Sequence, residues 1–216
     1  MNLEIPMLVR RSLIVLTLAL LTVRCTDETQ GLPTGLRLSA DEMAPETAVS
    51  RTLHQAADAP ALARYQVSFW VKRDKSTDVR VNYLPAAGHK DGDRFLQFQI
   101  PDHSVVARPG GAPLGKHDSL LVTLTIDPVL LDVDFEPSGL IFSQGRPAKL
   151  TIWYGHADAD LNGDGAVDAL DWRLAEQIAI WHEGKHKAHR VRSENDWAHQ
   201  VVTGKLHHFS QYAVSW

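Results

Sequence analysis

Arg94-Phe-Leu-Gln-Phe-Gln-Ile100 sets the apolar Leu96, Phe98 and Ile100 against the polar Gln97 and Gln99. A period of two is that of a half-buried strand, because successive side chains leave a strand on opposite faces. The same alternation recurs on both sides. Upstream lie Tyr65-Gln-Val-Ser-Phe-Trp-Val71 and Asp78-Val-Arg-Val-Asn-Tyr-Leu84. Downstream lie Leu121-Val-Thr-Leu-Thr-Ile126, Leu131-Asp-Val-Asp-Phe135, Leu150-Thr-Ile-Trp-Tyr154, Ile178-Ala-Ile-Trp181, His199-Gln-Val-Val-Thr203 and Phe209 to Trp216. Turn-forming residues separate these runs, among them Pro85, Gly92, Pro109-Gly-Gly111, Pro128, Pro137 and Gly145. Many short strands with turn chemistry between them predict an all-β fold, an antiparallel β-sandwich. One stretch, Ala169 to Gln177, reads as a short helix.

That helix leaves the densest acidic segment of the chain, Asp160-Leu-Asn-Gly-Asp-Gly-Ala-Val-Asp-Ala-Leu-Asp171. A hard divalent cation takes oxygen ligands from a twelve-residue loop at positions 1, 3, 5, 7, 9 and 12, with a sharp glycine turn at 6. Asp160, Asn162 and Asp164 fill the first three. Gly165 stands at the turn, the Ala166 carbonyl at position 7, Asp168 at 9 and Asp171 at 12. Starting at Asp158 would leave Ala169 in the closing position, so the register from Asp160 is preferred. The predicted cofactor is calcium. EF-hand loops close with a bidentate Glu; closure with Asp171 makes this loop resemble that of dockerins. Dockerins carry two loops in tandem, and this chain has one. Val167 and Trp172 are expected to anchor the loop, with Trp172 packed beneath it. The alternative is an Asp/Asn/Gly-rich turn that holds no metal.

The N-terminus carries the parts of an export signal over residues 1–24. Arg10 and Arg11 precede an uncharged apolar run of 12 residues, Ser12 to Val23. That run is too short to span a bilayer comfortably. Cys25 follows, in the position of a lipoprotein's lipidated cysteine, although Arg24 is larger than the residue that lipoprotein processing prefers. Ordinary cleavage after Cys25 is the other reading. The predicted location is therefore the cell envelope, periplasm or cell surface, with Cys25 as a candidate lipid anchor. Cys25 is the only cysteine, so no disulfide can form within the chain. Loss of residues 1–24 removes three Arg and one Glu, leaving 19 basic against 25 acidic residues. With this acidic balance nothing suggests nucleic-acid binding, which requires a basic face. Residues 25–63, with Pro33, Pro45 and Pro60, read as a flexible tether with a short helix near Val49 to Ala57; residues 64–216 read as one domain.

The C-terminal half resembles a known family. Phe135-Glu-Pro-Ser-Gly-Leu-Ile-Phe142, Pro147-Ala-Lys-Leu-Thr-Ile152 and His208-Phe-Ser-Gln-Tyr-Ala-Val-Ser-Trp216 are similar to strands of the β-sandwich domain found in ankyrins and netrin receptors, and in its bacterial relatives. The resemblance covers roughly residues 95–216. It implies a sandwich with an adhesive or scaffolding role, a structural His208, and the calcium loop as an insertion.

Two other patterns compete. His182-Glu-Gly-Lys-His186 matches the zinc-protease signature, which needs both histidines on one helical face and the Glu as general base. It follows an alternating run and contains Gly184, and the bland reading is a polar hairpin tip. Six of the eleven histidines fall after residue 181, and a solvated strand face is the simplest reading of them. The six tryptophans invite a glycan reading. Trp70, Trp153, Trp181 and Trp216 are expected to pack on strands, which leaves Trp197 as the candidate platform. The leading expectation is an exported, non-enzymatic, calcium-binding protein with a structural or recognition role toward an unknown protein or glycan. A glycan-binding module is the alternative, and a zinc hydrolase through His182, Glu183 and His186 the third.

Overall fold

The computed structural model describes residues 52–184 and 187–216. The export signal, Cys25, His186 and most of the expected tether lie outside the described residues. Among these, thirteen strands and one helix form an antiparallel β-sandwich. The strands are β1 (Gln66–Lys72), β2 (Thr77–Asn82), β3 (Arg94–Ile100), β4 (Val105–Ala107), β5 (Ser119–Ile126), β6 (Asp132–Glu136), β7 (Ile141–Phe142) and β8 (Ala148–Trp153). After helix α1 (Ala169–Ala175) come β9 (Ala179–Glu183), β10 (Ala188–Arg190), β11 (Ser193–Asp196), β12 (Val201–Leu206) and β13 (Gln211–Ser215).

One sheet runs β1-β5-β6-β13-β9-β10 and the other β11-β12-β8-β3-β2, with β4 and β7 as a separate pair. The alternation that predicted the strands also orients them. Phe98 of β3 and Phe135 of β6 meet across the two layers at a ring separation of 4.6 Å, and Phe209 stacks on Phe135 at 4.8 Å. All three rings are buried. Each such pair adds about 0.5–1.5 kcal/mol beyond the area it buries. Phe98, Phe135 and Phe209 thus supply the centre of the core. Gly204 of β12 faces Ile180 of β9; a Cβ there would come within 2.9 Å of the Ile180 Cδ1. The absent side chain lets the sheets approach at this point.

The tether expectation is corrected for residues 52–63. Leu53 and Leu62 are buried, the Leu53 N–H donates to the Val214 carbonyl, and the Ala63 N–H donates to the Asn82 carbonyl. The expected helix is not formed over residues 52–57; Thr52, His54 and Gln55 make isolated bridges to Ser215, Leu130 and Ala157. Isolated apolar residues among prolines carry no periodicity, yet Leu53 is bonded between Val214 and Leu131, and Leu62 bridges Tyr83 just past β2. The domain therefore begins no later than Thr52 instead of at residue 64.

Two tryptophan expectations also change. Trp70 is 60% exposed, on the outer face of β1 beside its cross-strand partner Leu121. Trp172 is 62% exposed and does not pack beneath the acidic loop. Leu161 and Ala175 pack against the core in its place. Among the described residues, no helix is long and apolar enough to cross a membrane.

Candidate metal centre

The acidic loop connects β8 to α1, and its own side chains gather it. Asp160 gathers the turn: its Oδ1 accepts the Gly163 N–H at 2.8 Å and the Asp164 N–H at 3.2 Å, and its Oδ2 accepts the Gly165 N–H at 2.7 Å. Gly163 and Gly165 have φ of 73° and 88°, where a side chain is strained. The glycine expected at the sharp turn is thus required by the backbone itself. Asn162 Oδ1 accepts the Asp164 N–H at 2.9 Å, its Nδ2 donates to Asp164 Oδ2 at 2.8 Å, and Asp164 Oδ1 accepts the Ala166 N–H.

The closing end is built by Asp168 and Asp171. Asp168 caps α1 by accepting the Leu170 N–H at 2.7 Å, and Asp171 Oδ2 accepts the Asp168 N–H at 2.9 Å. This reciprocal arrangement is a capping box with Asp in the third helical position. Asp171 Oδ1 also reaches back to the Leu161 N–H at 2.8 Å and the Asn162 N–H at 3.1 Å. Asp171 is 1% exposed. The Asp168 N–H, followed by those of Asn162 and Leu161, holds its carboxyl below the usual range against the opposing effect of burial. The loop's two ends are therefore closed by one carboxylate.

The donor chemistry fits a hard cation. The five side chains offer oxygens and no imidazole or thiolate, and each carboxylate oxygen that accepts one N–H keeps lone-pair capacity. The side chains are nevertheless drawn to backbone N–H groups. Among the described residues, no three His, Cys, Asp or Glu side chains are gathered as a metal-holding group. Asp160, Asn162, Asp164, Asp168 and Asp171 thus share one loop and one hydrogen-bond network without converging on a common point. Of the expected anchors, Val167 is 56% exposed. With Trp172 it borders a recess of about 160 Å³ between the loop and the sandwich.

The zinc-protease pattern falls on β9, where His182 and Glu183 are consecutive strand residues and leave on opposite faces. The helical face that the signature requires is not formed at these two residues. What the structure does assemble is a group drawn from the histidines that crowd the chain after residue 181. His189 of β10 is the cross-strand partner of His182. Their rings stack at 6.3 Å, and the His208 ring meets that of His182 edge-on at 4.7 Å. Burial, then His208, then His189 push the His182 imidazole below its usual pKa. Tyr212 donates its hydroxyl to the His208 carbonyl at 2.7 Å, fixing the start of β13. Trp197, the expected glycan platform, is 53% exposed in the turn after β11.

No family model, curated protein or solved structure matches the chain.

Proposed function

We propose that the chain is an exported, calcium-binding, non-enzymatic protein of the cell envelope or cell surface, with a structural or recognition role. The observation that carries the calcium reading is the closure of the twelve-residue loop. Asp160 collects the N–H groups of residues 163–165, while Asp171 collects those of 161, 162 and 168. Asp160, Asn162, Asp164, the Ala166 carbonyl, Asp168 and Asp171 would hold the ion. A bound calcium ion would supply positive charge that offsets the repulsion of four neighbouring carboxylates. The residues themselves set the loop's path and anchor it to α1. Because an ordered loop exists only in the folded chain, binding would stabilise the sandwich by mass action. The expected affinity is that of extracellular modules, about 0.1–1 mM.

The export part of this reading rests on residues 1–24, with Cys25 as the candidate membrane anchor. Kinship with the ankyrin and netrin-receptor sandwich is likewise a proposal. It is supported by the burial of Phe135, Phe142, Leu150, Phe209 and Tyr212, the residues through which the motifs would act as core. A glycan-binding role is favoured by one observation, the exposed ring of Trp197. Calcium titration of the folded domain tests the leading reading, and a glycan array with Trp197→Ala tests the second. Sugar binding that survives the substitution would remove Trp197 as the platform.

A further inference from the structure

At the end of β8 and β12 remote from the acidic loop lies a cleft of about 800 Å³. His182, His189 and His208 line it, together with Arg190, Arg192 and Lys205. No Asp or Glu lines it. The chain as a whole carries a formal charge of −4, so this concentration of cations runs against the overall balance. Among the described residues, Arg192 and Lys205 have no carboxylate partner in an ion pair. Arg190 follows His189 on β10, so its side chain leaves on the opposite face, where one guanidinium nitrogen donates to the Gln177 carbonyl at 3.3 Å; Arg192 and Lys205 are the cations offered to the cleft.

The imidazoles are held in place. His182 Nε2 lies 2.9 Å from the Ser210 hydroxyl, and His208 is fixed through Tyr212. His207 also lines the cleft, and its Nδ1 is a buried ring nitrogen without a hydrogen-bond partner. Glu183, next to His182, leaves β9 on the opposite face. Glu194, two residues from Arg192, lines the adjoining recess with Arg192 and Lys205 but forms an ion pair with neither.

We propose that this cleft binds a sulfate- or phosphate-type oxyanion group. Guanidinium groups match such groups in shape and charge, and an ammonium adds a point charge. The imidazole ring N–H groups add further donors. The same cations oppose a transition metal. The three imidazoles also do not form a metal-holding group in the structure. The oxyanion is either free or carried on a polymer, and the same cationic wall would recognise both. This site is independent of the calcium loop, which lies at the other end of β8.

The test uses sulfate, whose charge is constant across the imidazole range, at about pH 6. Inorganic sulfate is titrated into the folded protein while the histidine ring resonances are followed by NMR. A sulfated oligosaccharide is titrated in parallel. Sulfate should shift the His182, His189 and His208 signals saturably. Arg192→Gln and Lys205→Gln, both on the surface, should each weaken binding at least about tenfold without moving the melting midpoint. Tighter binding of the oligosaccharide would identify a polymeric source, and equal binding per sulfate a free ion. The proposal is overturned if the resonances do not saturate, or if both variants bind as well as the parent. Zinc displacing sulfate and taking over the same signals stoichiometrically would also overturn it.

Discussion

Asp171 Oδ1 lies 2.8 Å from the Leu161 backbone nitrogen, so the last residue of the acidic loop is bonded to the second. The chain from Leu161 to Asp171 is thereby closed by a side chain that is itself buried and seated in the first turn of α1. Asp171→Asn removes the charge and one acceptor oxygen. It should lower the melting midpoint at neutral pH more than Asp164→Ala, whose carboxylate serves only the exposed side of the loop. Thermal unfolding of the two variants checks the order.

The same contact predicts an acid response. The folded Asp171 pKa lies below its ordinary value, so its contribution is fully present above about pH 4 and is lost as pH falls through the lower, folded pKa. The stability gap between the parent and Asp171→Asn should therefore shrink below about pH 4 and persist at neutrality. Acid titrations monitored by circular dichroism give the comparison.

Asp132 behaves in the opposite sense. Burial, with Glu183, Asp127 and Asp134 adding repulsion, pushes its carboxyl up to about 6, although Gln211 donates to it at 2.6 Å. Its Oδ1 is buried without a partner. A raised folded pKa favours the protonated form. Stability is thus fullest below about pH 4 and falls as pH rises through about 6. At pH 7.5, Asp132→Asn should stabilise the domain by about 1–2 kcal/mol, a figure already reduced for solvent screening. At pH 4 the gain should vanish.

The aromatic centre sets the largest effect. Phe135 touches Phe98, Phe209 and Tyr212, and it is fully buried. Phe135→Ala should cost about 3–5 kcal/mol in denaturant unfolding. A cost below about 1 kcal/mol would mean that the sheets do not meet through this residue.

The backbone at Gly165 offers a test that bypasses ligand chemistry. With φ at 88°, an alanine there is strained by roughly 1–2 kcal/mol although no atom lies within 4 Å of the added Cβ. Gly165→Ala should lower stability by about that amount, and should weaken any calcium response while every carboxylate remains.

Much of this architecture was legible because period two survives in a sandwich strand: Leu96, Phe98 and Ile100 point inward as their spacing predicts. The need for glycine at 163 and 165 was legible in the acidic loop, and both adopt a left-handed backbone. The short strands β10 and β11 were missed because three or four residues, such as Ala188-His-Arg190, are too few to carry a period. Leu53 and Leu62 were missed because burial of single residues outside any strand leaves no pattern. Trp172 was misplaced because its ring projects outward while Leu161 and Ala175 pack on the core. The crowding of histidines after residue 181 was legible, but which of them meet was not, because His182 and His189 pair across a hairpin and His208 arrives from a separate segment.

Isothermal titration of calcium into the folded domain, with thermal unfolding on the same samples, addresses the central claim. One ion per chain should bind at about 0.1–1 mM. The melting midpoint should rise with calcium, and Asp160→Ala should lose both responses. No heat, and no rise in midpoint at 10 mM or about a hundredfold the tighter limit, would leave the segment from Asp160 to Asp171 as a self-bonded acidic turn.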